Sequence, residues 1–236
     1  MSQLSKVQSA VPGYDTKDFE TYFQKPRPEM LRYVPQQASV VLDVGCADGG
    51  FGQLLKAERD IEVWGVEPTE KAALVAAQKL DKVIQGFFDS DINLPKNTFD
   101  CIIFNDVLEH LVDPYSALVY SKELLREGGV IVASIPNVRY FDNIWNLLVK
   151  KDWQYIDYGI LDRTHLRFFT QKSILSTFET LGLSVRCIEG INPVEQEHPG
   201  HSKKFNILNK ILFNSIKDMR YLQFAVTAIP QKNQQT

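Results

Sequence analysis

VVLDVGCADGGFG, residues 40–52, runs from branched apolar residues into an acid and then a glycine-rich turn. An apolar run of this kind reads as a buried strand, and Gly45, Gly49, Gly50 and Gly52 let the chain bend sharply and bring backbone close to a bound molecule. Working outward, strands are expected at 39–45, 61–67, 82–86, 99–105 and 129–135. They alternate with helices expected at 51–58, 69–80 and 114–126. Strand and helix alternating in this way, with nearly continuous apolar strands, give a parallel sheet covered on both faces: a doubly wound α/β fold.

Beyond residue 136 the alternation weakens. An aromatic-rich amphipathic helix is expected over 137–155, a loop over 158–169, a helix over 171–183 and a strand over 184–191. A polar stretch over 192–204 precedes a helix over 205–216 and a closing strand over 221–230. Before residue 39, aromatic and aliphatic residues at helical spacing, interrupted by Pro26 and Pro28, predict two short helices with a break. The expected sheet has seven strands, the last antiparallel.

The chain of 236 residues, 44% hydrophobic and 23% charged, is long enough for one full core. A net charge of -3 supplies no positive field for nucleic acid. The first twenty residues lack the pattern of a signal peptide and no apolar run is long enough to span a bilayer, so a cytoplasmic location is expected. Cys46, Cys101 and Cys187 are odd in number and lie in or beside strands, as small buried fillers would. His198 and His201 have no spaced carboxylate partner, and no metal site is expected.

In an open parallel sheet, ligands bind beyond the carboxyl ends of the strands, where strand order reverses. Asp43 with Gly45, Glu67, the 86–91 segment, and Asn105 with Asp106 occupy such ends. Glu67, roughly twenty residues past the glycine turn, suits the two hydroxyls of a ribose. Gly45, Ala47 and Gly50 imitate a dinucleotide fingerprint with alanine where the pyrophosphate must approach. Asp43 sits badly beside a pyrophosphate but suits a cationic ligand carrying ammonium and sulfonium centres.

LDVGCADGG, GVEP, FDCIIFNDVLEHLVDP and LREGGVIVASIPN, in this order, resemble the motifs of class I S-adenosylmethionine-dependent methyltransferases over roughly residues 38–137. The resemblance implies that Asp43, Gly45, Cys46, Ala47 and Gly49 line the methionyl part of S-adenosylmethionine. It places Glu67 on the ribose, Pro68 beside the adenine, Phe88 and Asp89 at the adenine edge, and Asn105 with Val107 under the sulfonium. Arg27, from a segment flanking the cleft, joins the cofactor set. Tyr22, Tyr140, Trp145, Trp153, Tyr155 and Tyr158 flank the same cleft and could stack on an acceptor.

LDRTHLRFFT, residues 161–170, and RPEMLRYVP resemble segments of the methyltransferases of bacterial polysaccharide and surface-glycan synthesis. Methylation of a hydroxyl requires removal of a weakly acidic proton, and His165 with Asp162 holding its tautomer is the expected pair. His110, in the scaffold stretch NDVLEHL, is the alternative base. The expected product is one methyltransferase domain over 1–236: N-terminal cap helices over 1–37, a cofactor-binding core over 38–137, and acceptor-side insertions at 138–168 and 192–218. The acceptor is expected to be a sugar or glycan precursor. Alternatives are a small molecule such as a quinone precursor, or no catalysis at all in a cofactor-binding partner protein.

Overall fold

The computed structural model describes residues 26–231. Seven strands form one sheet: β1 (Val40–Val44), β2 (Glu62–Glu67), β3 (Lys82–Gln85), β4 (Phe99–Asn105), β5 (Leu125–Pro136), β6 (Leu183–Pro193) and β7 (Tyr221–Pro230). Their order is β3-β2-β1-β4-β5-β7-β6. The first five pair in parallel, while β7 runs antiparallel to both β5 and β6. Strand order therefore reverses between β1 and β4.

Alternation along the strands divides the core. Leu42, Val44, Ile102 and Phe104 pack on one face, and Val41, Cys101 and Ile103 on the other. Successive side chains of a strand point to opposite faces, so a strand apolar at every position is one buried on both sides. The helices that cover it are α1 (Gly50–Glu58), α2 (Glu70–Ala76), α3 (Pro114–Leu124), and α5 (Gln171–Thr180), which follows the short α4 (Phe141–Trp145). Asp113 starts α3 by accepting from the N–H groups of Tyr115 and Ser116 at 3.1 and 3.0 Å, with Pro114 in the first turn. Thr170 and Ser173 form a reciprocal capping box at α5.

The expected helix over 137–155 is not formed as such. α4 passes into a π-helical turn, Asn146–Lys150, which ends at Lys151 in a left-handed conformation (φ 57°). Leu147, Leu148 and Val149 are left exposed, so the apolar spacing there has no core to face. Conversely, part of the stretch expected to be an irregular polar segment is helical: α6 (Val194–Glu197) and α7 (Pro199–Ile211), with Pro199 in its first turn. Phe205 of α7 packs edge-on against Phe141, ring centroids 5.6 Å apart, in a third cluster with Tyr140, Ile160, Val194 and Met219. The helices expected at 69–80 and 114–126 stop at Ala76 and Leu124. Of the two N-terminal helices, one lies outside the described residues and the other is a 3-10 turn, Pro28–Tyr33. No helix among the described residues is long and apolar enough to cross a membrane.

Candidate active site

A cleft of about 600 Å³ opens at the carboxyl ends of β1, β2 and β4, at the reversal of strand order. The glycine turn forms one wall. Gly45 (φ 66°) approaches Val107 so closely that an added Cβ would lie 2.7 Å from a Val107 methyl carbon. Ala47 also adopts a left-handed conformation (φ 51°), which costs a non-glycine residue roughly 1–2 kcal/mol. Its N–H donates to Glu67 Oε2 at 3.0 Å, and the N–H of Thr69 donates to Glu67 Oε1 at 2.9 Å. Glu67 thus ties the turn to the end of β2 while lining the cleft.

Asp43 is buried, and burial first, then the charge of Glu67, pushes its carboxyl up to about 8. Burial likewise raises Glu67, against the N–H groups that favour its ionised form. Such a pair favours a cation between or beside it. Cys46 is buried with its thiol raised by burial; its Sγ packs where a side chain on Gly65 would stand.

Pro68, Phe88, Asn105 and Val107 also line the cleft, as does Arg27. Both side-chain polar atoms of Asn105 are shielded without a hydrogen-bond partner. The Arg27 side chain is already engaged at the cleft wall. Its guanidinium pairs with Asp106 and Glu29 and donates to Gln223 Oε1 at 2.9 Å, and Gln223 Nε2 in turn donates to Asp106 Oδ1 at 2.6 Å. Gly49 and Asp89 do not line the cleft. Gly49 (φ 79°) caps α1 with its α-carbon turned toward Ala76, and Asp89 accepts from the N–H of Asp91 in its own turn.

The opposite wall brings His110, Asp162 and His165 to the cleft. The tautomer-setting partner expected for His165 is replaced: its Nδ1 donates to the Ile160 carbonyl at 2.9 Å. Asp162 Oδ1 instead accepts from the hydroxyl of Thr164 at 2.7 Å and from its N–H at 2.8 Å. Thr164 Oγ1 and carbonyl O lie 3.1 and 3.2 Å from His110 Nδ1. A carbonyl can only accept, so both Nδ1 atoms carry the proton, and in the neutral rings the Nε2 atoms are the ones with a lone pair. The rings meet edge to face, centroids 4.6 Å apart. Beside them, Glu109 is buried with its carboxyl raised to about 8 by desolvation, and neither oxygen has a hydrogen-bond partner. Glu109, His110 and His165 are the one set among the described residues with ligand atoms close enough to hold a metal ion, all within 4.8 Å of one another.

Of the expected aromatics, Tyr158 lines the cleft. Tyr140 is buried with its hydroxyl on His198, Trp145 packs on Phe141, and Trp153 and Tyr155 pack on Phe168; Tyr22 lies outside the described residues. Glu109 and Gln223 are site residues that the spacing did not single out, whereas Asp106 and Phe87 line the cleft from the strand ends already named.

Similarity to known proteins agrees with this geometry. The ubiquinone biosynthesis O-methyltransferase of Histophilus somni is 31% identical over 147 residues, 56% of this chain and 60% of that protein. The chain thus spans less than two thirds of that relative. The protein of the same description from Vibrio cholerae is 26% identical over 177 residues, 70% of this chain and 71% of its own. In fold, a SAM dependent methyltransferase from Archaeoglobus fulgidus superposes with a TM-score of 0.65 at 21% identity, over 89% of this chain and 97% of that one. One from Mesorhizobium loti gives 0.58 at 17%, over 87% and 98%. Residues 16–188 match the family described as methyltransferase domain, and the chain belongs to that family, with the fold of class I S-adenosylmethionine-dependent methyltransferases.

Proposed function

We propose that this protein transfers the methyl group of S-adenosylmethionine to a hydroxyl oxygen of a small acceptor. The observation that carries this is one cleft joining the buried acids Asp43 and Glu67 to an imidazole pair whose Nδ1 atoms are held by carbonyl acceptors. The acids suit the ammonium, sulfonium and ribose of the donor, and the imidazoles suit a hydroxyl proton. Gly45, Cys46 and Ala47 offer backbone to the methionyl part, Pro68 and Phe88 flank the adenine, and Asn105 with Val107 lies near the sulfonium. Residues 138–168 and 192–218 bound the acceptor side.

In the transfer, an oxygen lone pair forms the new C–O bond as the C–S pair returns to sulfur, and the hydroxyl proton passes to an imidazole Nε2. Alignment of the three atoms supplies most of the acceleration, since the sulfonium is already activated. Both relatives are ubiquinone biosynthesis O-methyltransferases, which favours a small molecule such as a quinone precursor over a sugar. The glycan acceptor expected from LDRTHLRFFT rests on that sequence resemblance alone. Acids also outnumber the single arginine along the cleft, which favours a neutral acceptor over a phosphorylated one.

Calorimetric titration with S-adenosylmethionine, followed by detection of S-adenosylhomocysteine release with phenols, catechols, free sugars and nucleotide sugars, tests the assignment. Cofactor binding with turnover of a phenol or catechol is expected. Tight binding of a nicotinamide dinucleotide without S-adenosylmethionine would overturn it, and cofactor binding without turnover of any hydroxyl would support the non-catalytic alternative.

A further inference from the structure

We propose that Glu109, His110 and His165 form a binding site for one divalent transition-metal ion, with its open coordination position facing the cleft. Three independent features carry it. The ligand atoms of the three residues already lie within 4.8 Å of one another, and His165 Nε2 is 4.0 Å from Glu109 Oε1. Ligands at about 2.1 Å from a tetrahedral ion stand roughly 3.4 Å apart, so side-chain adjustments of about an ångström close the set. The residues come from two segments, the turn after β4 and the 160–169 loop, each backed by its own hydrogen bonds.

Secondly, the imidazoles are oriented as metal ligands are. Each commits Nδ1 to an acceptor, Ile160 O for His165 and Thr164 for His110, with Asp162 behind Thr164. Such outer partners fix the tautomer and aim the Nε2 lone pair. Thirdly, Glu109 is 1% exposed, yet both its oxygens lack a hydrogen-bond partner. A buried acid left in this state is costly, and a cation satisfies both oxygens at once.

Two imidazoles and one carboxylate suit Zn²⁺ or Fe²⁺ rather than the all-oxygen preference of Mg²⁺ or Ca²⁺. All three residues line the cleft, so the next ligand would come from its contents. Resting on the hydroxyl-methylation reading above, that ligand is the acceptor oxygen. With the Nε2 lone pairs on the ion, the metal replaces the imidazole as the means of activation: coordination acidifies the hydroxyl, its proton leaves to solvent, and the metal-held oxygen then takes the methyl group as the C–S pair returns to sulfur.

Co²⁺, whose ligand-field bands report its coordination, is the probe. The full-length protein, freed of metal by a chelator, is expected to bind one Co²⁺ with visible bands, displaced by Zn²⁺. Glu109→Gln and His165→Ala should weaken binding by about 100-fold or more, and Thr164→Val, behind His110, by about 10- to 100-fold. The double variant His198→Ala/His201→Ala, altered at the other histidine pair, should bind as the wild type does. Folding of each variant is checked by S-adenosylmethionine titration. No saturable spectrum, or one that survives Glu109→Gln and His165→Ala but is lost with His198 and His201, overturns the site. Undiminished methylation in chelator without Co²⁺ binding sinks the metal and keeps the methylation reading. Co²⁺ bands with no S-adenosylmethionine binding support the site and sink that reading.

Discussion

Glu67 joins two functions in one carboxylate, because its oxygens hold the N–H groups of Ala47 and Thr69 before any ligand arrives. Glu67→Ala is therefore expected to weaken S-adenosylmethionine binding by about 1.5–3 kcal/mol in calorimetry and also to lower the urea midpoint. Unchanged affinity would remove Glu67 from the site. Asp43 adds a pH dependence. Its folded-state carboxyl is raised to about 8, above the unfolded value, so its contribution to stability is full at acid pH and lost as pH rises through about 8. A cationic ligand favours the ionised form. S-adenosylmethionine affinity should hence rise between about pH 6 and pH 8 and then level off, with the slope absent in Asp43→Asn. That Asp43, Gly45 and Glu67 line one cleft was legible because they stand close together in the sequence. The commitment of Arg27 to Asp106 and Gln223 was not, since the latter stands 196 positions away.

Among the elements, those with local punctuation were read well and those shaped by distant packing were not. Asp113-Pro114 marked the start of α3 in the sequence itself. Its carboxyl is held below the ordinary value, first by the Ser116 hydroxyl. A depressed folded pKa gives stability present at neutral pH and lost as pH falls below about 4. Asp113→Ala should cost about 1 kcal/mol at neutral pH, a difference that shrinks on acidification, as urea denaturation can measure. The helix expected over 137–155 failed for the opposite reason: its apolar residues past Trp145 face no partner, so periodicity had nothing to enforce. Gly190 is a subtler case, opposite Phe224 in the β6–β7 ladder with the Tyr221 ring lying where its Cβ would stand. Gly190→Ala should cost about 1–3 kcal/mol through overpacking; a wild-type midpoint would show that the ring yields freely.

For the whole molecule, the pattern of apolar strands alternating with amphipathic helices carried the parallel sheet, because the central strands β1 and β4 are buried on both faces. The meeting of Glu109, His110 and His165 escaped it, since Thr164 and His110 are brought together across 54 positions by the fold alone. Hydrogen exchange should reproduce this hierarchy: slowest in β1, β4, β5 and β7, fastest over 146–159, where side chains are mostly exposed. Comparable protection in both regions would contradict the packing described.

The insertion of β7 between β5 and β6 also has a consequence for synthesis on the ribosome. β6 leaves the exit tunnel before β7, yet it pairs with no other strand, so until residues 221–230 emerge β5 keeps an open apolar edge and β6 has no place in the sheet. Gln223, which braces Asp106 and Arg27, arrives on that same last strand. A nascent chain can thus assemble β1 to β5 early, but its binding cleft is completed only once residues 221–230 have emerged, and in the interval the bare edge of β5 is the natural target of a chaperone.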